Sequence, residues 1–198
     1  MAEVNSVVPG LHSWDAVQSG EAHAIDLLCT HWLPEVLQWC RRLGGARVDP
    51  DHAAQDVFLV VLRRVHTVES PGQLPSWLFS VTRRVLAQHR RRAWVRRWLP
   101  GSDDNLERRL GASEADGPDR LVERDETIHQ VHALLDELPV ELREVLVLCD
   151  MEQRTDPEAA ALLGLKVGTA KSRLRRARQR FRELARRNGL APDAPEAP

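Results

Sequence analysis

No apolar run in this chain of 198 residues approaches the roughly 20 residues that a membrane-spanning helix needs, so membrane insertion is not expected. The N-terminus, MAEVNSVVPGLHSWDAV, has no basic segment followed by an apolar core; no secretory signal is read there, and a cytoplasmic location is expected. Cysteine is scarce as well. Cys29, Cys40 and Cys149 are odd in number and far apart, which argues against a disulfide framework. A zinc site from Cys29, His31 and Cys40 is conceivable, but the spacing matches no common ligand pattern, and buried free thiols are the more frequent reason for such residues. His129 and His132, three apart on a predicted helix, lack a third partner and fit a solvated helix face. No metal and no other cofactor are expected. The sequence also lacks a carboxylate cluster, a phosphate-cradling glycine loop and an activated nucleophile, so neither an enzyme nor a small-molecule substrate is indicated. Strand signals are almost absent, and apolar residues recur at helical spacing nearly everywhere. The predicted fold class is all-α.

What the chain does have is segregated charge. With 29% charged residues, 42% hydrophobic residues and a mean hydropathy of -0.39, it reads as a soluble globular protein, yet its formal net charge of -1 hides strong blocks. Arg83 to Arg97, RRVLAQHRRRAWVRR, contains no acid, and from Lys166 to Arg187 Glu183 is the only one. Between these blocks, GSDDNLERRLGASEADGPDRLVERDE is rich in acids, glycine and small residues, with Pro100 and Pro118 as breakers. The pattern suggests two basic modules on an acidic tether. Solvated helix faces joined by a loop would give similar charge statistics, so patterning has to decide. The expected division is a partly flexible N-terminal extension over 1–20, a first helical domain over 21–99, an acidic linker over 100–119, a second helical domain over 120–188 and a disordered tail over 189–198.

In the first module, Leu27, Leu28, Trp32, Val36 and Trp39 predict a helix to about Arg42, interrupted early by Pro34 and ended by Gly44 and Gly45. A second helix over Asp51 to Val68 carries Phe58, Val61, Leu62 and Val65 on one stripe, with His52, Asp56 and Arg63 elsewhere. The break ESPGQLPS precedes a third helix with Trp77, Leu78, Val81 and Val85 on its core side. In the second module one helix carries Ile128, Val131, Leu134, Leu135 and Leu138 and closes at Pro139; another carries Leu142, Val145, Leu146 and Cys149.

Thr155 to Glu158 then has the capping-box form, in which side chain and backbone bond reciprocally at a helix start. Pro157 in the first turn costs no helical hydrogen bond, and Gly164 can take the left-handed conformation that stops the helix. A further helix from about Val167 to Arg187 carries Ala170, Leu174, Ala177, Phe181 and Leu184 on a narrow apolar stripe, and Ser172, Arg175, Arg176 and Gln179 opposite. Lys171, Arg173, Arg178, Arg180 and Arg182 flank it. Two helices joined by a glycine turn, the second basic on its exposed side, are the helix-turn-helix arrangement, and Ala159, Ala160 and Ala161 permit a close crossing. Thr169, Ser172, Arg175 and Arg176 are placed to reach base edges in the major groove; the flanking arginines are placed for phosphates, with affinity that falls steeply with salt. A membrane-surface or calmodulin-target helix is the competing reading of a basic amphipathic helix, and the capped helix and glycine turn favour DNA.

These residues resemble a known family. ELPVELREVLVLCDMEQRTDPEAAALLGLKVGTAKSRLRRAR is similar to region four, and DPDHAAQDVFLVVLRRV with LPSWLFSVTRRVLAQHRRR to region two, of the small extracytoplasmic-function group of bacterial RNA polymerase sigma factors, in the sigma-70 family. The likeness covers about Leu27 to Arg92 and Arg120 to Arg187. It implies a dissociable subunit that directs promoter-specific transcription initiation, with core RNA polymerase and promoter DNA, duplex and melted, as partners. The polymerase-binding face would hold Asp51, His52, Gln55 and Asp56. The minus-ten element would meet Trp77, Arg83, Arg84, Arg91 and Arg92, with melted bases captured around ESPGQLPSW. The minus-thirty-five element would meet Thr169, Lys171, Ser172, Arg173, Arg175, Arg176 and Gln179. Cationic groups and stacking surfaces are what single strands require, although the stripe position of Trp77 favours a core role and Trp94 and Trp98 fit either stacking or packing. An anti-sigma protein is an implied regulator. The sequence departs from the family in three places. His52 stands where an acid is usual, implying a weaker or pH-dependent contact with the polymerase, Gln88 replaces a common aspartate, and Lys166 replaces a frequent proline. The alternative function is a stand-alone helix-turn-helix regulator, which leaves DHAAQDVF and the basic Trp77 helix unexplained.

Overall fold

The computed structural model describes residues 7–96 and 130–190, which build two compact helical units; no strand occurs among the described residues. The acidic linker, Trp98, Ile128, His129 and the chain from residue 191 onward lie outside the described residues.

The first unit holds α1 (Trp14–Gln18), α2 (Ala22–Gly44), α3 (Pro50–Arg64), two 3-10 turns (Val65–Thr67 and Pro71–Gln73) and α4 (Leu74–Arg96). Each start has a local cause. The Ser13 hydroxyl accepts from the Asp15 amide at 3.1 Å, and Asp49 Oδ1 accepts from the amides of Asp51 and His52 at 2.9 and 3.0 Å, with Pro50 in the first turn of α3. Helices α2, α3 and α4 pack against one another. Their core centres on Trp39 and Phe79, both fully buried and edge-to-face at 4.9 Å, with the Trp32 ring 6.3 Å from Trp39 and Leu28, Val36, Val57, Val61, Leu78 and Leu86 also buried. Ahead of α2, Val8, Leu11, Trp14 and Val17 are buried too. Trp14 Nε1 and Gln18 Nε2 both donate to the Val68 carbonyl, at 3.0 and 3.1 Å, tying α1 to the turn that leads into α4.

Three expectations for this unit need correction. Helix α2 runs unbroken through Pro34. Thr30 and Pro34 lie on the exposed side, where water can hydrate the carbonyl that proline leaves unpaired, while Trp32, Val36 and Trp39 hold the opposite side in the core. On α3 the buried stripe is Ala53, Ala54, Val57 and Val61; Leu62 is 54% exposed and Phe58 half-buried. Residues 57–62 are apolar without interruption, so periodicity leaves the phase of the helix open, and Ala53 and Ala54 settle it by allowing a close approach. On α4, Leu78, Val81 and Val85 are buried as expected, joined by Leu74, Phe79 and Leu86, but Trp77 is only half-buried at the edge of that stripe.

The second unit holds a helix described over residues 130–136 (α5), α6 (Val140–Leu146), a π-helical turn (Val147–Met151), α7 (Asp156–Leu163) and α8 (Val167–Arg187). Arg143, 5% exposed, joins α5 to α6: it meets the Asp136 carboxylate at 2.8 Å and donates to the Asp136 carbonyl at 2.8 Å, satisfying the end of α5. The π turn is closed by the Glu152 amide donating to the Val147 carbonyl at 3.0 Å, and Gln153 follows it at φ +56, a left-handed conformation costly for a side chain. At the start of α7 the Thr155 amide and hydroxyl donate to Glu158 Oε2 at 2.8 and 2.7 Å, whereas the return bond from the Glu158 amide to the Thr155 hydroxyl is long, 3.5 Å. Gly164, at φ +65, ends α7, and the Leu165 amide donates to the Ala160 carbonyl at 2.8 Å. Ala159 and Ala160 are buried and let the helices approach, but Ala161 points outward and takes no part. On α8, Ala170, Leu174, Ala177 and Leu184 are buried, with Ala185 added and Phe181 half-buried.

The aromatic core and the corrected phase of α3 are both testable. Trp39→Ala, which opens a cavity beside Phe79, is expected to cost about 3–5 kcal/mol. Leu62→Ala, on the outer face, should change stability by less than about 0.5 kcal/mol, and urea unfolding of the two variants measures both.

Candidate nucleic-acid interface

The second helix of the helix-turn-helix presents its basic face because its apolar face is occupied. Of the 21 residues of α8, Lys171, Arg173, Arg175, Arg176, Arg178, Arg180, Arg182, Arg186 and Arg187 are basic and Glu183 alone is acidic. Ser172, Arg175, Arg176 and Gln179 are exposed on the side away from the buried stripe, and Thr169 and Arg173 are half-exposed beside them. The Ser172 hydroxyl donates to the Thr169 carbonyl at 2.9 Å and keeps its acceptor capacity outward. Arg175 and Arg176 make no ion pair among the described residues, which leaves both guanidinium forks available for bidentate contacts. The remaining positions are less free. Gln179 donates to Glu183 at 3.2 Å, Arg180 meets Glu183 at 3.1 Å, and these two bonds hold the Glu183 carboxyl below the usual carboxylate range. Lys171 lies 3.9 Å from Asp156, and Arg178, placed among the flanking phosphate contacts by the sequence, forms a two-pronged pair with Asp150 at 2.6 to 3.2 Å. Lys166, where the family prefers proline, has φ -70 and ψ 142, a backbone that proline also adopts, so the turn keeps its shape.

In the first unit, Trp77, Arg84 and Arg91 recur every seven residues and so share one side of α4 along about 21 Å. Arg84, Arg91 and Arg92 are exposed, Arg83 is half-buried, and Gln88 sits on the exposed side. The half-buried Trp77 at one end of this row combines an apolar surface with a line of cations, the composition that a single strand needs. Arg90, the remaining member of that arginine run, is turned inward and donates to the Leu43 carbonyl at the end of α2, at 2.7 Å.

The four residues expected on the polymerase-binding face are separated by α3. Asp51, His52 and Gln55 are exposed together near its N-terminus, and His52 Nδ1 lies 3.1 Å from the Asp49 carboxylate. Asp56 turns instead toward α4, where its carboxylate is 2.9 Å from Nε2 of the mostly buried His89. Two residues missed by the sequence reading continue the outward row. Leu59 and Leu62, 48% and 54% exposed, follow His52 and Gln55 at spacings of three, four and three, the spacing of a coiled-coil seam. The spacing is legible in the sequence, but inside the unbroken apolar run over residues 57–62 it does not tell an outer row from a core stripe.

Comparison with known proteins agrees with this geometry. Residues 28–96 match sigma-70 region 2, and residues 128–181 match sigma-70 region 4. The chain is 32% identical over 160 residues to the ECF RNA polymerase sigma factor SigE of Mycolicibacterium smegmatis, covering 80% of this chain but only 60% of that protein, so it spans less than two thirds of that relative's length. It is 29% identical over 169 residues to the RNA polymerase sigma factor CnrH of Cupriavidus metallidurans, covering 84% of this chain and 88% of that one. Among solved structures, CnrH in complex with the cytosolic domain of CnrY has a TM-score of 0.60 at 23% identity, covering 88% of this chain and 95% of that one, a likeness of fold. The sigma factor RpoE in complex with the anti-sigma factor NepR, from Bartonella quintana, has a TM-score of 0.55 at 25% identity and covers 80% of this chain and 94% of that one.

Among the described residues no three His, Cys, Asp or Glu side chains gather as a metal site, and no helix is long and apolar enough to cross a membrane. Burial, reinforced by Asp51, pushes the Cys40 thiol up to about 12; burial, with Asp156 and Asp150, pushes Cys149 up to about 11; Cys29 is raised by burial and Asp26. A raised pKa means less thiolate at any given pH, and thiolate is the reactive form. At pH 8 the half-buried Cys29 should therefore react first with a chromogenic disulfide reagent, with Cys40 and Cys149 slower by on the order of a hundredfold until the chain is unfolded. A time course of thiol release in buffer and in urea measures this.

Proposed function

The chain belongs to the extracytoplasmic-function group of RNA polymerase sigma factors in the sigma-70 family, and on that footing we propose that it binds core RNA polymerase in the cytoplasm and directs initiation at its own set of promoters. Sigma factors are transcription initiation factors and not enzymes, and the helix-turn-helix of region four is their DNA-binding element. The finer assignment rests on one observation: two separate helical units each turn a basic face outward while their apolar faces are buried. The α4 row of Trp77, Arg84 and Arg91 is suited to the melted minus-ten strand, with Arg92 nearby for phosphates. The α8 face of Thr169, Ser172, Arg175 and Arg176 is suited to the minus-thirty-five duplex in the major groove.

The polymerase contact falls on the outer row of α3. Asp51 and Gln55 supply polar contacts near its start, and Leu59 and Leu62 supply the apolar area that a partner helix would bury. Asp56, bonded to His89, acts in this reading by fixing α3 against α4. His52 contributes beside Asp49, which restores an acid close to where the family carries one. An anti-sigma protein that masks one or both basic faces is the regulator we infer, supported by two similar structures whose sigma factors are seen with a partner, the cytosolic domain of CnrY in one and the anti-sigma factor NepR in the other.

A run-off transcription assay with core polymerase on promoters mapped after forced expression tests this. The wild-type chain is expected to bind core and to start transcripts at defined sites, and Leu59→Glu with Leu62→Glu to weaken core binding about tenfold or more with folding retained. A chain that neither bound core nor directed specific initiation, but bound one duplex sequence tightly alone, would be a stand-alone regulator.

A further inference from the structure

The buried stripe of α8 contains three alanines, Ala170, Ala177 and Ala185, and only two large residues, Leu174 and Leu184. Small side chains allow close packing but give a helix little resistance to rolling about its own axis, and rolling changes which residues face a groove. A contact at the edge of the stripe can set that roll. Arg178 lies six residues beyond Ser172, about 120° around the helix from it and close to the margin of the buried stripe. Its guanidinium grips Asp150 with Nε at 3.0 and 3.2 Å and with a second nitrogen at 2.6 Å, a two-pronged geometry that fixes direction as well as distance. Lys171, two turns earlier on the same edge, leans toward Asp156 at 3.9 Å, so both ion pairs from α8 to the preceding elements lie along one side.

Asp150 is itself fixed. It sits in the π turn over Val147–Met151, where one extra residue in the helical turn shifts the side chains that follow. The Gln153 side chain donates to the Asp150 carbonyl at 2.8 Å, and Gln153 has φ +56, the one positive-φ residue other than glycine among the described residues. Strain of this kind persists where the surroundings over-determine it. Cys149, buried beside Asp150, anchors the turn to the core of the unit.

Resting on the promoter-binding reading above, we propose that Arg178 is a positioning residue: its pair with Asp150 sets the roll of α8, directs Ser172, Arg175 and Arg176 into the groove, and keeps the Arg178 charge off the DNA. A cation that meets phosphate releases counterions and contributes to the salt dependence of binding; a cation held by a carboxylate does not. An exposed ion pair adds little to stability, so the role is orientation and not fold maintenance.

The test uses the full chain assembled with core polymerase and a duplex that the wild-type complex enriches from a random-sequence pool, measured with a scrambled duplex across a salt series. Arg175→Ala should flatten the salt slope by roughly one, as loss of a DNA contact does. Arg178→Ala should leave that slope unchanged and lower discrimination between the two duplexes by about fivefold or more. Asp150→Asn should also lower discrimination and, by releasing Arg178, steepen the slope. The double variant should discriminate no worse than either single, because both remove one pair. A flattened slope for Arg178→Ala with unchanged discrimination for Asp150→Asn would make Arg178 a phosphate contact and overturn the proposal. Loss of thermal stability alone in both variants, with discrimination and slope kept, would overturn it too. If the wild-type complex enriches no duplex, the promoter-binding reading itself fails, a result distinguishable from either.

Discussion

A helix carrying nine basic residues and one acid repels itself, and the second unit depends on how that repulsion is overcome. The answer is a narrow buried stripe, Ala170, Leu174, Ala177 and Leu184, seated against the rest of the unit. Hydrophobic burial holds one face, which leaves the cations together on the other and concentrates positive potential there. The unit's other features serve this seat: the carboxylate cap at Thr155 and the left-handed Gly164 bound α7, and the inward Arg143 ties α5 to α6, the helix against which α8 packs. Charge that would weaken an isolated helix becomes a binding surface once the back of that helix is occupied.

The first unit solves the same problem with bulk in place of small residues. Trp39 and Phe79 fill the space between α2 and α4, so the arginine row of α4 is backed by a large aromatic core. Both units also divide their cations between exposed and committed roles. Arg90 closes the carbonyl end of α2, Arg143 that of α5, and Arg178 is tied to Asp150, while Arg84, Arg91, Arg175 and Arg176 face outward. A count of basic residues therefore overstates the number available to nucleic acid, because some arginines are consumed by the fold that presents the others.

The reading from sequence was accurate where the signal was local and one-sided. The apolar residues of α8 recur at three and four amid polar neighbours, so only one face could be buried, and Phe181 alone fell short of full burial. Thr155 and Glu158 cap the helix start from three positions apart and Gly164 ends the helix through its own backbone, so their roles follow from residue type. On α3 the run over residues 57–62 is apolar all round, so its phase is only partly legible: of the expected stripe Val61 and Val65 are buried, Phe58 is half-buried and Leu62 lies outside. Isolated propensity predicts an interruption at Pro34; tertiary packing of Trp32 and Trp39 overrides it. For Asp56, helical position pointed outward, whereas a histidine 33 residues away draws its carboxylate toward α4.

By itself the sequence determined the all-helical class, the two basic modules, the helix-turn-helix and the family resemblance, because each is written in residue type and spacing over short distances. Only the tertiary structure decided which side of α3 faces out, that Trp77 stands half-exposed at the head of an arginine row, and which arginines are held by carboxylates or carbonyls. The physical reason is the range of the deciding interaction. Periodicity, capping and turn chemistry act between residues a few positions apart and so can be read along the chain. The partner of a charged side chain, and the phase of a helix that is apolar all round, are fixed by atoms brought close only when distant segments pack.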